Sequence, residues 1–398
     1  TDLVANGLKA VTTLLRKPHL AADPDADGGS DDDDEEDDGG GGAGRARSGG
    51  GAALGEDELE WLLSFVSVHL QEQALQGALF GLLRVVFARR FVIPLVYDLV
   101  LTLGEMVLKA DAPAVRGACA KLYLTFVLSY PLGPRRLQQQ LSFLATNLPY
   151  PVASGRLSLL ALIESAAARL PLAELHRQAE LLLLPLVTRL VNDNDAACRA
   201  AVGAALTTLV RRTCAPPGDS AADGARARLL VLLAAWYADG ADGALRRAAA
   251  QLAGLVVDAL GAATPRALTP QLLPLVVEGC LAGGDGDDGG GDGEGEGGDD
   301  DDGEGGGERR WELRYHSLRS LEKLAAADGA ALHAEACAPL WEQTAALLLD
   351  DHAWVRAAAG RLLGGLFAEA GASHTVGAAS PPAPRALSAE GGLVELAD

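Results

Sequence analysis

Apolar residues in this chain recur three and four positions apart, the spacing of helices that hide one face, and no stretch alternates with the period-two pattern of β-branched strands. The pattern predicts an all-α chain with almost no sheet. The helices come in pairs. In one such pair Leu181 to Leu190 reads as an apolar helix, Asn192-Asp193-Asn194-Asp195 as a turn with its N-cap, and Ala197 to Val210 as the second helix. Asp or Asn at that turn can accept hydrogen bonds from the first free N–H groups of the following helix, worth about 1 kcal/mol each. The same order returns with Leu340 to Leu349, then Asp350-Asp351-His352, then Trp354 to Phe367. Pro94, Pro113, Pro151 and Pro171 fall at helix starts, where a missing N–H costs nothing.

Seven second helices share an opening: a small or apolar residue, then Arg (once Gln), then a run rich in small residues. These second positions are Gln76, Arg116, Arg156, Arg199, Arg246, Arg314 and Arg356. Their steps are 40, 40, 43, 47, 68 and 42, and the long step shrinks to 41 when the 27 residues of a Gly/Asp/Glu insertion are removed. A period near 40 to 47 residues is that of HEAT and armadillo units. One pair cannot bury its own apolar face, but a stack can, so the expected fold is an all-α, HEAT/armadillo-like helical-repeat solenoid with disordered acidic insertions. The expected organisation is an N-terminal helix in 1–20, a Gly/acidic linker in 21–53, HEAT-like repeats in 54–280, the insertion in 281–307, further repeats in 308–371 and a flexible tail in 372–398.

Charge sharpens this picture. The formal net charge is −21, but the runs 23–38 and 285–304 hold 22 acidic residues and no Lys or Arg, so the remainder sums to about +1. The repeats themselves are not acidic, and the global pI says little about what their faces bind. The five cysteines stand singly with no C-x-x-C pair, which implies a reduced compartment and no zinc site; His333 and Cys337 lie four apart but do not close one. Asp23, Asp25, Asp27, Gly28 and Asp34 resemble an EF-hand loop, yet Ser30 stands where an apolar residue belongs. Neither a bilayer-spanning run nor a secretory signal is expected.

No phosphate-cradling loop, nucleophile elbow, H-E-x-x-H or kinase loop occurs, so no catalytic, cofactor or metal residues are assigned and no small-molecule substrate is expected. The candidate binding residues are five arginine doublets: Arg89 and Arg90, Arg135 and Arg136, Arg211 and Arg212, Arg246 and Arg247, Arg309 and Arg310. One reading is structural, with Arg89, Arg90, Arg211 and Arg212 closing second helices and complementing their dipoles. The other is that stacking aligns them into a ridge of cations that contacts RNA phosphates, with no aromatic interleaving for base stacking. Trp236, Trp311, Trp341 and Trp354 fall on apolar stripes and read as core, with partner anchors as the alternative.

Four segments carry a family resemblance: Phe80-Gly81-Leu82-Leu83; Val127-Leu128-Ser129-Tyr130-Pro131-Leu132-Gly133; Asn192-Asp193-Asn194-Asp195 leading to Cys198; and His352-Ala353-Trp354-Val355 continuing to Leu366-Phe367-Ala368. Over residues 54 to 370 the chain resembles the C-terminal part of the large HEAT-repeat, U3 snoRNP-associated component of the small-subunit processome, also called the down-regulated in metastasis family. That resemblance implies a nucleolar, non-catalytic scaffold in pre-rRNA (18S) processing, with processome proteins and pre-rRNA/U3 snoRNP as partners and no membrane. The alternative on the same architecture is a protein-binding adaptor of the transport-receptor or phosphatase-scaffold type, without an RNA role.

Overall fold

A computed structural model describes residues 2–16, 55–214, 219–238, 243–260, 265–281, 310–332 and 338–377. The linker expected at 21–53 lies outside these residues, as do the acidic insertion after residue 281, the calcium-like pattern and the tail beyond residue 377. The chain forms two compact units, residues 1–226 and 227–398. Every regular element among the described residues is helical.

The first unit contains α1 (Asp2–Arg16), α2 (Glu56–His69), α3 (Gln76–Arg89), α4 (Pro94–Lys109), α5 (Pro113–Ser129), α6 (Pro134–Thr146), α7 (Ala153–Arg169), α8 (Leu172–Asn192), α9 (Ala196–Cys214) and the start of α10 (Ser220–Tyr237). Within pairs, α4 packs on α5 and α8 on α9; between pairs, the second helices stack in the order α1, α3, α5, α7, α9, and α6 lies on α8. The second unit repeats this arrangement. Here α11 (Gly243–Leu260) packs on α13 (Arg310–Leu332), which packs on α15 (Ala353–Gly377), with α12 (Pro265–Leu281) against α13 and α14 (Ala338–Ala346) against α15. All seven register positions lie within the first turns of second helices. This is a HEAT/armadillo-type helical repeat.

The second helices carry the core because they have neighbours on both sides. Leu79, Leu82, Leu83 and Phe87 of α3 and Leu122, Tyr123 and Phe126 of α5 are all at most 1% exposed, and each such side chain removed from water contributes about 1.5–3 kcal/mol. Small residues set the spacing. A Cβ on Gly155 would stand 2.5 Å from the Leu108 carbonyl oxygen, so only glycine there lets α7 lie against the end of α4. The Tyr130-Pro131-Leu132-Gly133 corner ties two pairs together: the Tyr130 hydroxyl donates to the Phe91 carbonyl at 2.5 Å, and its ring stacks on Phe126. Pro94, Pro113 and Pro134 occupy first-turn positions, whereas Pro185 of α8 and Pro270 and Pro274 of α12 lie inside helices, where each deletes a backbone hydrogen bond.

Candidate nucleic-acid interface

Stacking gives the first unit two edges with different chemistry. Along one run the turns from first to second helix, where the register arginines sit. A first helix ends with carbonyls that have no partner inside the helix, and the arginine six residues beyond supplies one. Arg116 donates through Nη1 to the Ala110 and Asp111 carbonyls at 2.7 and 2.8 Å, Arg156 to those of Tyr150 and Pro151 at 2.9 and 2.8 Å, and Arg199 to that of Asp193 at 2.7 Å. The second unit does the same through Arg356 and the Asp350 and Asp351 carbonyls. These arginines also reach forward. Arg156 Nη2 meets Asp193 Oδ1 at 2.9 Å and Asn194 Oδ1 at 3.2 Å, Arg116 Nε meets Ser158 Oγ at 3.2 Å, and Arg314 Nη1 meets Asp350 Oδ2 at 2.9 Å.

Asp193 is the most heavily used of these acceptors. Its side chain is 1% exposed and takes Arg156 on Oδ1 and Arg189 on Oδ2, while the Asp195 N–H also donates to Oδ1. Burial works to raise its pKa; the hydrogen bonds from Arg189, the Asp195 N–H and Arg156 outweigh burial and hold the carboxyl below its ordinary value. Asp195, expected as part of the cap, takes the Cys198 N–H at 2.8 Å.

The other edge is where second helices finish, and three arginine doublets gather there. Arg89 Nε donates to the Leu15 carbonyl at the end of α1. Arg90 is exposed and left-handed (φ 60°), its N–H closing α3 on the Phe87 carbonyl. Arg136 lies 4.2 Å above the Tyr97 ring and bonds its hydroxyl, with Arg135 exposed beside it at the start of α6. Arg212 takes the Ala167 and Ala168 carbonyls at the end of α7 and that of Leu170 just beyond it, while Arg211 is exposed. The bonds that bridge one helix end to the next place Arg89, Arg90, Arg135, Arg136, Arg211 and Arg212 on one side of the first unit, with Arg90 and Arg135 turned to solvent.

The remaining doublets do not belong to the first unit. Arg246 and Arg247 belong to the second unit and open α11 rather than close it; Arg247 is 6% exposed, its Nε 3.1 Å from Glu312 Oε2. The Arg309 position and the Arg310 side chain lie outside the described residues.

Trp354 departs from the core expectation. It is 60% exposed, and with Trp311, Tyr315 and His352 it forms an aromatic cluster in which the Trp311 and His352 rings stack at 3.8 Å. Among the described residues α13 packs between α11 and α15, whereas α15 packs against α13 and α14. His316 nearby is pushed down to about 4, first by burial and then by Lys323, Arg247 and Arg319. Among the described residues no three His, Cys, Asp or Glu converge on a metal site, and no helix is long and apolar enough to cross a membrane. Cys119, Cys198 and Cys214 are buried thiols, and burial pushes Cys119 up to about 12.

The chain is 30% identical to U3 small nucleolar RNA-associated protein 20 of Schizosaccharomyces pombe over 321 residues, 80% of this chain, and 27% identical to the Saccharomyces cerevisiae protein of that name over 159 residues, 40% of this chain. It is a relative of that protein. The matched segments span only 12% and 6% of those two relatives' own lengths. No family model matches. Among solved structures, a Kap121p variant is 13% identical with a TM-score of 0.43, covering 77% of this chain and 29% of that one; a designed armadillo repeat protein is 17% identical with a TM-score of 0.30, covering 66% and 99%. The assignment of fold rests on the stacked helix pairs themselves.

Proposed function

We propose that the chain is a non-catalytic scaffold segment acting in ribosome biogenesis, within the small-subunit processome of the nucleolus, where it supports 18S pre-rRNA processing beside the U3 snoRNP. The observation that carries this reading is the 321-residue similarity to a U3 small nucleolar RNA-associated protein. The arginine edge of the first unit supports a direct role for RNA: Arg90 and Arg135 offer cations to phosphates, while Arg89, Arg136 and Arg212 hold helix ends in place. Such contacts position a strand without reading its bases, so affinity depends on salt more than on sequence.

Crosslinking in cells followed by RNA sequencing tests the reading. Recovery of pre-ribosomal RNA and processome proteins is expected, and recovery of neither overturns it. In vitro, Arg90→Ala with Arg135→Ala should flatten the slope of log affinity against log salt by about 1 to 2 for a single-stranded pre-rRNA fragment. An unchanged slope removes the edge from the RNA path while leaving the scaffold role standing.

A further inference from the structure

One register position breaks the ladder, and a cavity lies beside it. At the opening of α3 the residue is Gln76, whose Nε2 stands 3.5 Å from the Gln71 carbonyl, the limit of a hydrogen bond. Its amide is too short to reach forward to the next turn as Arg156 does. Between that turn and the next is a cavity of about 530 Å³, lined by Gln71, Gln73, Gln76, Glu105, Lys109 and Asp111 over a floor that includes Met106. Its size falls in the range of about 300–1,000 Å³ of ligand-holding clefts.

One residue that lines it corresponds in position to a group that takes a guanidinium elsewhere in this molecule. Asp111 lies five residues before Arg116 as Asn194 lies five before Arg199, and Asn194 Oδ1 accepts from the Arg156 guanidinium at 3.2 Å. Glu105 is held 2.9 Å from Lys109 Nζ, so that pair is neutral overall. Asp111 is the carboxylate that makes no ion pair among the described residues: its main-chain carbonyl takes Arg116, and its side chain accepts no hydrogen bond from them. Gln71 and Gln73 add side-chain amide oxygens able to accept further N–H groups.

We infer that this cavity between the Gln71–Gln76 and Lys109–Ala112 turns receives an arginine side chain presented by a partner protein, its guanidinium taking the place that the register arginine fills in other units. Asp111 is the charged acceptor, the glutamine oxygens complete the fork, and Met106 packs against the aliphatic stem. The partner is defined chemically as an exposed arginine in an extended segment. A lysine ammonium lacks the planar fork and fits less well. This inference does not depend on the chain's role in ribosome assembly.

Calorimetric titration of the full chain with a blocked pentapeptide carrying a single central arginine tests it, with lysine and citrulline versions as comparators. Arginine should bind at least about tenfold more tightly than citrulline, since a charge-assisted hydrogen bond separates them. Gln76→Arg should abolish that preference by filling the cavity from within, and Asp111→Asn should reduce it in a chain whose fold is otherwise untouched. The acidic runs at 23–38 and 285–304 are unchanged in both variants. If both variants keep the full preference, arginine is held elsewhere and the inference fails; equal binding of the arginine and citrulline peptides also overturns it.

Discussion

The turns that carry Asp193 and Asp111 occupy corresponding places in their helix pairs, yet one is closed and the other open. At Asp193 a preceding arginine, Arg156, enters from the neighbouring pair with its side chain 5% exposed, and every oxygen of the carboxylate is taken. At Asp111 the preceding register residue is Gln76, and a cavity of about 530 Å³ lies beside it. The flanking helices differ as well, α7, α8 and α9 being longer than α3, α4 and α5 respectively; at the turn itself the difference is the reach of one side chain, so in this stack the joint between pairs is made by side chains crossing from turn to turn.

Removing Asp193 is expected to have the largest effect. Asp193→Ala leaves Arg156 without its buried counter-charge and should cost about 3–5 kcal/mol, read by urea denaturation and by faster hydrogen exchange in α7 and α9. A loss below about 1 kcal/mol would mean the closed turn is no stronger than the open one. Acid should act on the same joint. The folded pKa of Asp193 lies below its unfolded value, so its contribution is complete above about pH 4 and disappears as pH falls through the folded pKa. Asp193→Asn should blunt that acid loss, and an unchanged acid profile would assign it to other carboxylates.

Arg116→Ala is an intermediate case. It frees the Ala110 and Asp111 carbonyls and the link to Ser158, and should cost about 1–3 kcal/mol. The smallest change is expected from closing the open turn: Gln76→Arg should stabilise the first unit by up to about 1 kcal/mol, seen as a rise in Tm. A fall in Tm would show that the cavity cannot accept an arginine from its own pair.

The candidate site was only half legible in the sequence. The register at 76, 116, 156, 199, 246, 314 and 356 stands out because helix pairs repeat, and the structure puts each of those residues in the first turns of a second helix. The doublets were legible as charge but not as position. Arg89 and Arg90 sit with Arg211 and Arg212 because both pairs end second helices, whereas Arg246 and Arg247 open one. The task of the register arginines was hidden as well, although Asp193 and Asp350 each stand six residues before one. That spacing has meaning only once the turns are seen to stack.

Local periodicity was sufficient to determine the helices, their pairing and their stacking, because an amphipathic stripe must find an apolar neighbour whatever else the chain does. Only the tertiary structure could decide that Arg156 is buried while Arg90 faces water, that Trp354 is exposed on a helix whose stripe looked like core, and that Gln76 borders a cavity. Each of these depends on what lies across the next turn some forty residues away, and a side chain's burial and partners are properties of that neighbour as much as of itself.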